Sequence, residues 1–333
     1  MKAIEKKAYE LAKRVLETVD WKNCDERRVL VVELKDGRRR FVSFLGSEGC
    51  FRAISLFADA AGFARLAMAE SDDALSIFDA FGSVEQLQLA FCPKEDLMPG
   101  EAEWIAASGL AFPDEFQPSF ISHLPGYVQW NMTERDVLET MEFLAAILDF
   151  LKTGTEIRMK VAVNTALTTW REIGPGEWKV EIDDFPPFKH FTYSTEQEKV
   201  DRVAALSQKD MWLQFGAVPF APVDQYEGRP MLPRLAQLVE RESLFLLGTN
   251  IIFAENGQVF DYNLVIDWFL DTLLEKGFRP SRLSVWGLDL APIMKQFAPD
   301  LGIEYVEDKE CRELHQVYGE FVELMTSQQQ GGR

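Results

Sequence analysis

The sequence predicts an α+β protein in two parts. The first part is an N-terminal antiparallel β-meander with helices, and the second a C-terminal mixed sheet in which a ββ pair leads into βα units. Three observations predict it. Asp36-Gly37 separates the β-rich runs "RVLVVEL" and "RRRFVSFL", a strong hairpin signal. "MTERDVLETMEFLAAILDFLK" keeps a helical period and stops at Thr153-Gly154, which marks the domain boundary. Beyond residue 258, helical and strand patterns alternate.

Each element follows in order. Ile4, Ala8, Leu11, Val15 and Val19 recur at helical spacing, so residues 2–19 read as an amphipathic helix. After the Asp36-Gly37 hairpin, "LGSEGCFRAISLFADAAGF" holds Gly46 and Gly49 at a turn, then a strand over 50–57 and a helix capped by Asp59. "VEQLQLAFCP" is a strand ended by Pro93, and a short helix starts after Pro99. Residues 111–130, with three prolines and many aromatics, show no period and read as an ordered irregular segment. Thr133 caps the long helix, with Asp136 three residues on.

The second part opens with strand "EIRMKVAV" and a hairpin around Gly174-Pro175-Gly176. A helix with a Thr195/Glu198 capping box, strand "MWLQFGAVPFAPV" and a hairpin turning near 241–243 come next. Helix 259–276, strand "RLSVWGL", helix 289–298, strand "GIEYVE" and helix 310–326 complete it. The expected domains are 1–153 and 155–326, with 327–333 a frayed tail.

Composition narrows the function. With 35 basic against 54 acidic residues the net charge is −19, which disfavours nucleic acid and anionic membrane surfaces as partners. The cysteines Cys24, Cys50, Cys92 and Cys311 form no CxxC pair and fit a reducing cytosol. No run approaches 18 uncharged apolar residues and the N-terminus lacks an apolar signal core, so the expectation is a cytoplasmic protein.

Catalytic motifs are sparse. "GSEGCFRA" has the glycines of a phosphate loop but no Lys, and Glu48 would repel a phosphate, so Gly46–Gly49 reads as sheet punctuation. His123, His190 and His315 lie far apart, without a metal-ligand spacing. His123 beside Pro125-Gly126-Tyr127 makes the proline–aromatic segment the candidate recognition surface, with His123, Tyr127 and Trp130 as contacts. Phe112, Phe116 and Phe120 are expected to pack the domains together.

Read together, "FLGSEG", "ISLFADAAGF", "FQPSFISHLPGY" and Trp130, followed by "GRPMLPRLAQLVERESLFLLG" and "RPSRLSVWGLDLAPIMKQFAPDLGIEYVE", resemble a two-domain bacterial family of unknown function. The C-terminal half is similar in element order to ribonuclease H-like folds. That resemblance implies carboxylates holding divalent metal, with Glu240, Asp289 and Glu313 as rough counterparts. Glu240 stands where an Asp is expected, and at a turn. The leading expectation is therefore a non-enzymatic module that binds a protein partner and needs no cofactor. The alternatives are a divalent-metal-dependent hydrolase or nuclease using the C-terminal carboxylates, or a small-molecule pocket between the halves.

Overall fold

The computed structural model describes residues 3–24, 29–46, 49, 51–60, 62–64, 79–80, 82–153, 166–184, 194, 196–220, 225–226, 228–255, 257–308 and 310–331. The chain forms two compact units. The first takes Met1–Glu70, Ser83–Leu124 and Gln129–Phe188, and the second Ser71–Gly82, Pro125–Val128 and Lys189–Arg333. Both helices and mixed sheets are present, as an α+β fold requires.

The first unit carries strands β1 (Leu30–Glu33), β2 (Arg39–Leu45), β3 (Arg52–Phe57), β4 (Gln86–Cys92), β5 (Gln117–His123), β6 (Trp130–Asn131), β7 (Ala166–Gly174) and β8 (Glu177–Asp184). They form one sheet in the order β6-β5-β4-β3-β2-β1-β7-β8. Every neighbouring pair is antiparallel except β1 with β7. The meander begins at the Asp36-Gly37 hairpin, where the Gly37 N–H donates to Leu34 O. Gly46–Gly49 joins β2 to β3, and the Gly49 N–H closes that turn on Gly46 O. The glycine stretch is thus turn chemistry between antiparallel strands.

Helices α1 (Ala3–Thr18), α2 (Glu101–Ser108) and α3 (Glu134–Leu151) accompany this sheet. Ala8, Ala12 and Val15 of α1, Ile105 of α2 and Phe143, Leu144 and Ile147 of α3 share one core with Val42, Ile54, Leu89 and Phe120 of the strands. Trp170 of β7 stacks on Phe150 at 3.7 Å within it. Thr133 caps α3 in a full capping box with Asp136, as expected. Val31, Phe41, Phe57 and Leu167, the alternate residues of their strands, form a second cluster with Phe63.

Two expectations are corrected here. Residues 117–123 are not irregular: they form β5, buried along its whole length between β4 and the two-residue β6. Pro118 hides the strand from a sequence reading. It lies outside the short β5–β6 ladder, at a stretch that is a sheet edge on that side, where proline is tolerated. Phe120 joins the first unit's own core, and Phe112 and Phe116 pack against it. The boundary at Thr153-Gly154 does not coincide with the compact units either. The hairpin β7–β8 completes the first sheet, because β1 would otherwise expose an unpaired edge and β7 covers it in parallel.

The second unit contains α4 (Gln197–Ala204), β9 (Ser207–Pro219), β10 (Gln225–Tyr226), β11 (Arg229–Pro230), β12 (Arg234–Glu240), β13 (Leu246–Ile252) and α5 (Tyr262–Lys276). β14 (Phe278–Trp286), α6 (Leu290–Phe297), β15 (Glu304–Tyr305) and α7 (Arg312–Gly331) follow. Its main sheet runs β13-β12-β9-β14-β15. The first three strands form an antiparallel meander, and β14 and β15 join in parallel, which is the ββ-then-βα order expected.

Helices cover both faces. Phe215 of β9 stacks on Phe269 of α5 at 4.7 Å. On the other face Val218, Val239 and Trp286 meet Cys311, Leu314 and Val317 at α7. Gly216 is what lets α7 approach β9, since a Cβ there would lie 2.6 Å from Leu314. α7 runs on to Gly331, through most of the stretch expected to fray. Strand 156–163, Thr195 and the segment 65–78 lie outside the described residues. Among the described residues no helix is long and apolar enough to cross a membrane.

Candidate functional site

The three C-terminal carboxylates have separate structural employments. Glu240 ends β12 and folds back onto its own turn, accepting from the N–H groups of Glu242 and Ser243 and from the Ser243 hydroxyl. Partial burial raises its pKa, and those hydrogen bonds outweigh that and hold it below the ordinary value. Glu313, in the first turn of α7, accepts from Gln214 Nε2 at 2.8 Å and pairs with Arg241 at 3.6 Å. Gln214 also donates to Asp308 and accepts from the Leu314 N–H, so a buried amide ties α7 to the middle of β9.

Asp289 is buried just after β14, within electrostatic reach of Arg234 at the start of β12. Glu240 is six residues further along that strand, about 20 Å at strand rise. Among the described residues no group of three His, Cys, Asp or Glu is placed to hold a metal ion.

Arg234 is the centre of the second unit's buried polar cluster. It ion-pairs with Asp79 and donates to Ala217 O at 3.0 Å, with the rings of Phe260 and Tyr262 at 5.3 and 5.0 Å. Asp79 also accepts from the Leu288 N–H at 3.2 Å. Burial works against the guanidinium charge, and Tyr262, Asp79 and Asp289 outweigh it and hold the pKa up. In this cluster the Arg234 guanidinium pairs with Asp79 and feels the charge of Asp289.

The N-terminal candidates fall in both units. His123 and Trp130 belong to β5 and β6 of the first unit, and Tyr127 to the second. His123 is buried in β5, while Trp130 is half-buried and pairs with Ser122 across the ladder. Tyr127 is buried, and its hydroxyl donates to Glu255 O and accepts from the Gly257 N–H. A tyrosine so engaged is a structural anchor.

The site that the sequence did not reveal lies in the first unit. A cavity of about 210 Å³ is lined by Ile4, Ala8, Tyr9, Glu101, Trp104 and Phe120, with Asn131, Met132, Glu134 and Val137 completing the wall. Its position follows from the elements: α1 supplies Tyr9, α2 Glu101 and Trp104, β5 Phe120, and the start of α3 Glu134 and Val137. Tyr9 and Phe120 meet edge to face at 5.8 Å. Trp104 lies against Gly100, where a Cβ would come within 3.2 Å of the indole. Gly100 also has φ +86°, so glycine serves both the turn into α2 and the ring beside it.

Glu101 is the polar floor. It is 1% exposed, and its two oxygens accept the N–H groups of Phe120 at 2.8 Å and Met98 at 3.0 Å. Burial pushes its pKa up, and the hydrogen bonds it accepts work against that rise. Among the described residues no Lys, Arg or His lines the cavity. From the sequence Glu101 reads as an acid complementing a helix N-terminus. The signal available was its neighbour Trp104, which remains 37% exposed on a short helix.

Comparison with known families divides the chain similarly. Residues 6–170 match the model described as Domain of unknown function (DUF7309), and residues 199–322 match Domain of unknown function (DUF6930). No curated protein and no solved structure matches the chain. The molecule is thus a two-domain protein built from two domains of unknown function.

Proposed function

We propose that this pairing of two domains of unknown function is a cytoplasmic, non-enzymatic binding protein, and that the pocket of the first domain is its recognition element. Glu101 carries the reading. A carboxylate buried at the floor of an aromatic-walled cavity, and held by two backbone N–H groups, leaves room for an outside partner. Ligand sites combine mostly apolar walls with a few placed polar groups, and this cavity has that composition. Among the described residues its lining includes no His, Cys, Ser or Lys, the residue types that most often supply a nucleophile or its base, which favours binding over chemistry.

A thermal-shift screen of the full chain against small organic molecules tests the reading. The expected outcome is a ligand that raises the Tm of the wild type but not of Trp104→Ala, with the variant's fold checked by circular dichroism. At a hundredfold excess over Kd such a ligand adds about 2.7 kcal/mol. Ligands that stabilise both proteins equally would place binding elsewhere. Stabilisation by Mn²⁺ that disappears in Glu313→Gln would return the argument to the C-terminal carboxylates.

A further inference from the structure

We infer that this chain pairs with a second copy of itself through β8, strand against strand and antiparallel, about a two-fold axis at Val180. The inference goes beyond the pocket and uses none of its residues. Three observations carry it: an open edge, an uncovered apolar pair and a charge order that fits its own reverse.

β8 is the open edge. Among the described residues it pairs with β7 alone and ends the first unit's sheet. It is eight residues long and holds neither Pro nor Gly, whereas the opposite edge, β6, has only two residues. Long edge strands are templates for a further strand unless charge, proline or a bulge blunts them. The irregularity of the β7–β8 ladder lies beside its turn, between Glu172 and Gly174, and leaves the rest of the strand straight for pairing.

The apolar pair lies on the helix side of that edge. Val180 stands opposite Trp170 and Ile182 opposite Thr168, and both of those β7 residues are buried. Trp178 shares this side by the alternation of the strand, packs on the first core and meets Phe150 edge to face at 5.5 Å. Beyond Trp178 the cover ends: Val180 is 47% exposed and Ile182 69%. A neighbouring strand that brings apolar residues to the same side would extend the core across the edge.

The charges choose that strand. A two-fold axis normal to the sheet keeps the faces matched, so it passes between one residue of β8 and its own copy. At Val180 it sets Lys179 opposite Glu181 of the second copy, twice, and Trp178 opposite Ile182, twice. Val180 meets itself. Lys179 already reaches Glu181 of its own strand at 2.6 Å, and across the axis it meets the same group. A centre at Lys179 or Glu181 would set that charge against its own copy, and one at Ile182 would set Glu181 against Asp183. Like charges directly opposite are destabilising. In the Val180 register the like pair is Glu177 with Asp183, which falls at the ends of the ladder.

Sedimentation velocity of the full chain over about 1–100 μM tests the pairing. The net charge of −19 opposes self-association at long range, so the buffer holds 0.15 M salt, where the screening length is about 8 Å. The expected outcome is a mass rising from the 38.0 kDa of one chain to twice that. Lys179→Glu and Glu181→Lys should each weaken the dimer at least tenfold. The two variants mixed should recover it, because every opposed pair at these positions then has opposite signs. Ile182→Asp should also leave a monomer, with circular dichroism confirming the fold of each variant. Under mild oxidation Val180→Cys should cross-link to its own copy, while Ile182→Cys and the wild type should not. A single-chain mass at every concentration would overturn the inference. So would a dimer that survives both Lys179→Glu and Ile182→Asp, because the contact would then lie on another surface. Cross-linking of Ile182→Cys but not of Val180→Cys would overturn the axis at Val180.

Discussion

Asp79 in the second unit and Glu101 in the first are buried to the same degree, each 1% exposed, yet they meet opposite surroundings. Asp79 faces the Arg234 guanidinium and the Leu288 N–H, so its charge is neutralised inside the fold. Glu101 has backbone N–H partners and a cavity beside it. A carboxylate with an internal cation is committed to architecture. One held only by dipoles keeps an unspent electrostatic demand, which a ligand can meet. Burial alone therefore does not separate a structural acid from a functional one, and its counter-charge does.

The largest test of this contrast is Asp79→Ala. Removing one partner of a buried ion pair leaves the other charge uncompensated, which costs about 3–5 kcal/mol. Urea unfolding should show the free energy of unfolding fall by that amount through a lower midpoint, with the m-value unchanged. A loss under 1 kcal/mol would mean that Arg234 finds water, and the contrast would collapse.

Glu101 should answer to pH instead. Its folded pKa lies above 4.5, so the folded state holds that proton more tightly than the unfolded chain does. The contribution favours folding at low pH, and it is lost as pH rises from 4.5 through the raised folded value, then stays flat. Glu134 and Tyr9 line the same cavity, and the nearby Cys92 thiol is pushed by burial up to about 11, beyond that window. The difference between the stability curves of wild type and Glu101→Gln should isolate the slope. Parallel curves would refute it.

Smaller effects sharpen the pocket side of the comparison. Gly100→Ala forces an L-residue to φ +86° and crowds the indole at 3.2 Å, so about 1–2 kcal/mol of stability should go, together with any ligand response of Trp104. Thr133→Ala should cost about 1 kcal/mol by opening the α3 cap. The shift of its urea-unfolding midpoint relative to the wild type measures that loss.

What was legible in the sequence was local. The Asp36-Gly37 hairpin, the Gly46–Gly49 turn and the Thr133/Asp136 box are each written in a few consecutive residues, because turn and cap geometry depend on nearest neighbours. β5 was missed because Pro118 argues against a strand unless the pairing on its far side is known to be short. The parallel β1–β7 pairing joins residues more than 130 apart, and Arg234 reaches Asp79 across 155. Neither leaves a local trace. The same holds for the pocket, since Tyr9, Glu101 and Phe120 converge only after the sheet and its helices are assembled.

The 155-residue reach of Arg234 also has a consequence in time. A ribosome adds about 5–20 residues per second, so Asp79 leaves the tunnel roughly 8–30 s before its partner does. For that interval the carboxylate remains in water, and the short segment around it has no core to join. The first unit's strands on either side of it can pair meanwhile. Completion of the second unit therefore waits for a piece of chain made early, and a nascent chain halted before Arg234 should leave the Asp79 segment open to protease.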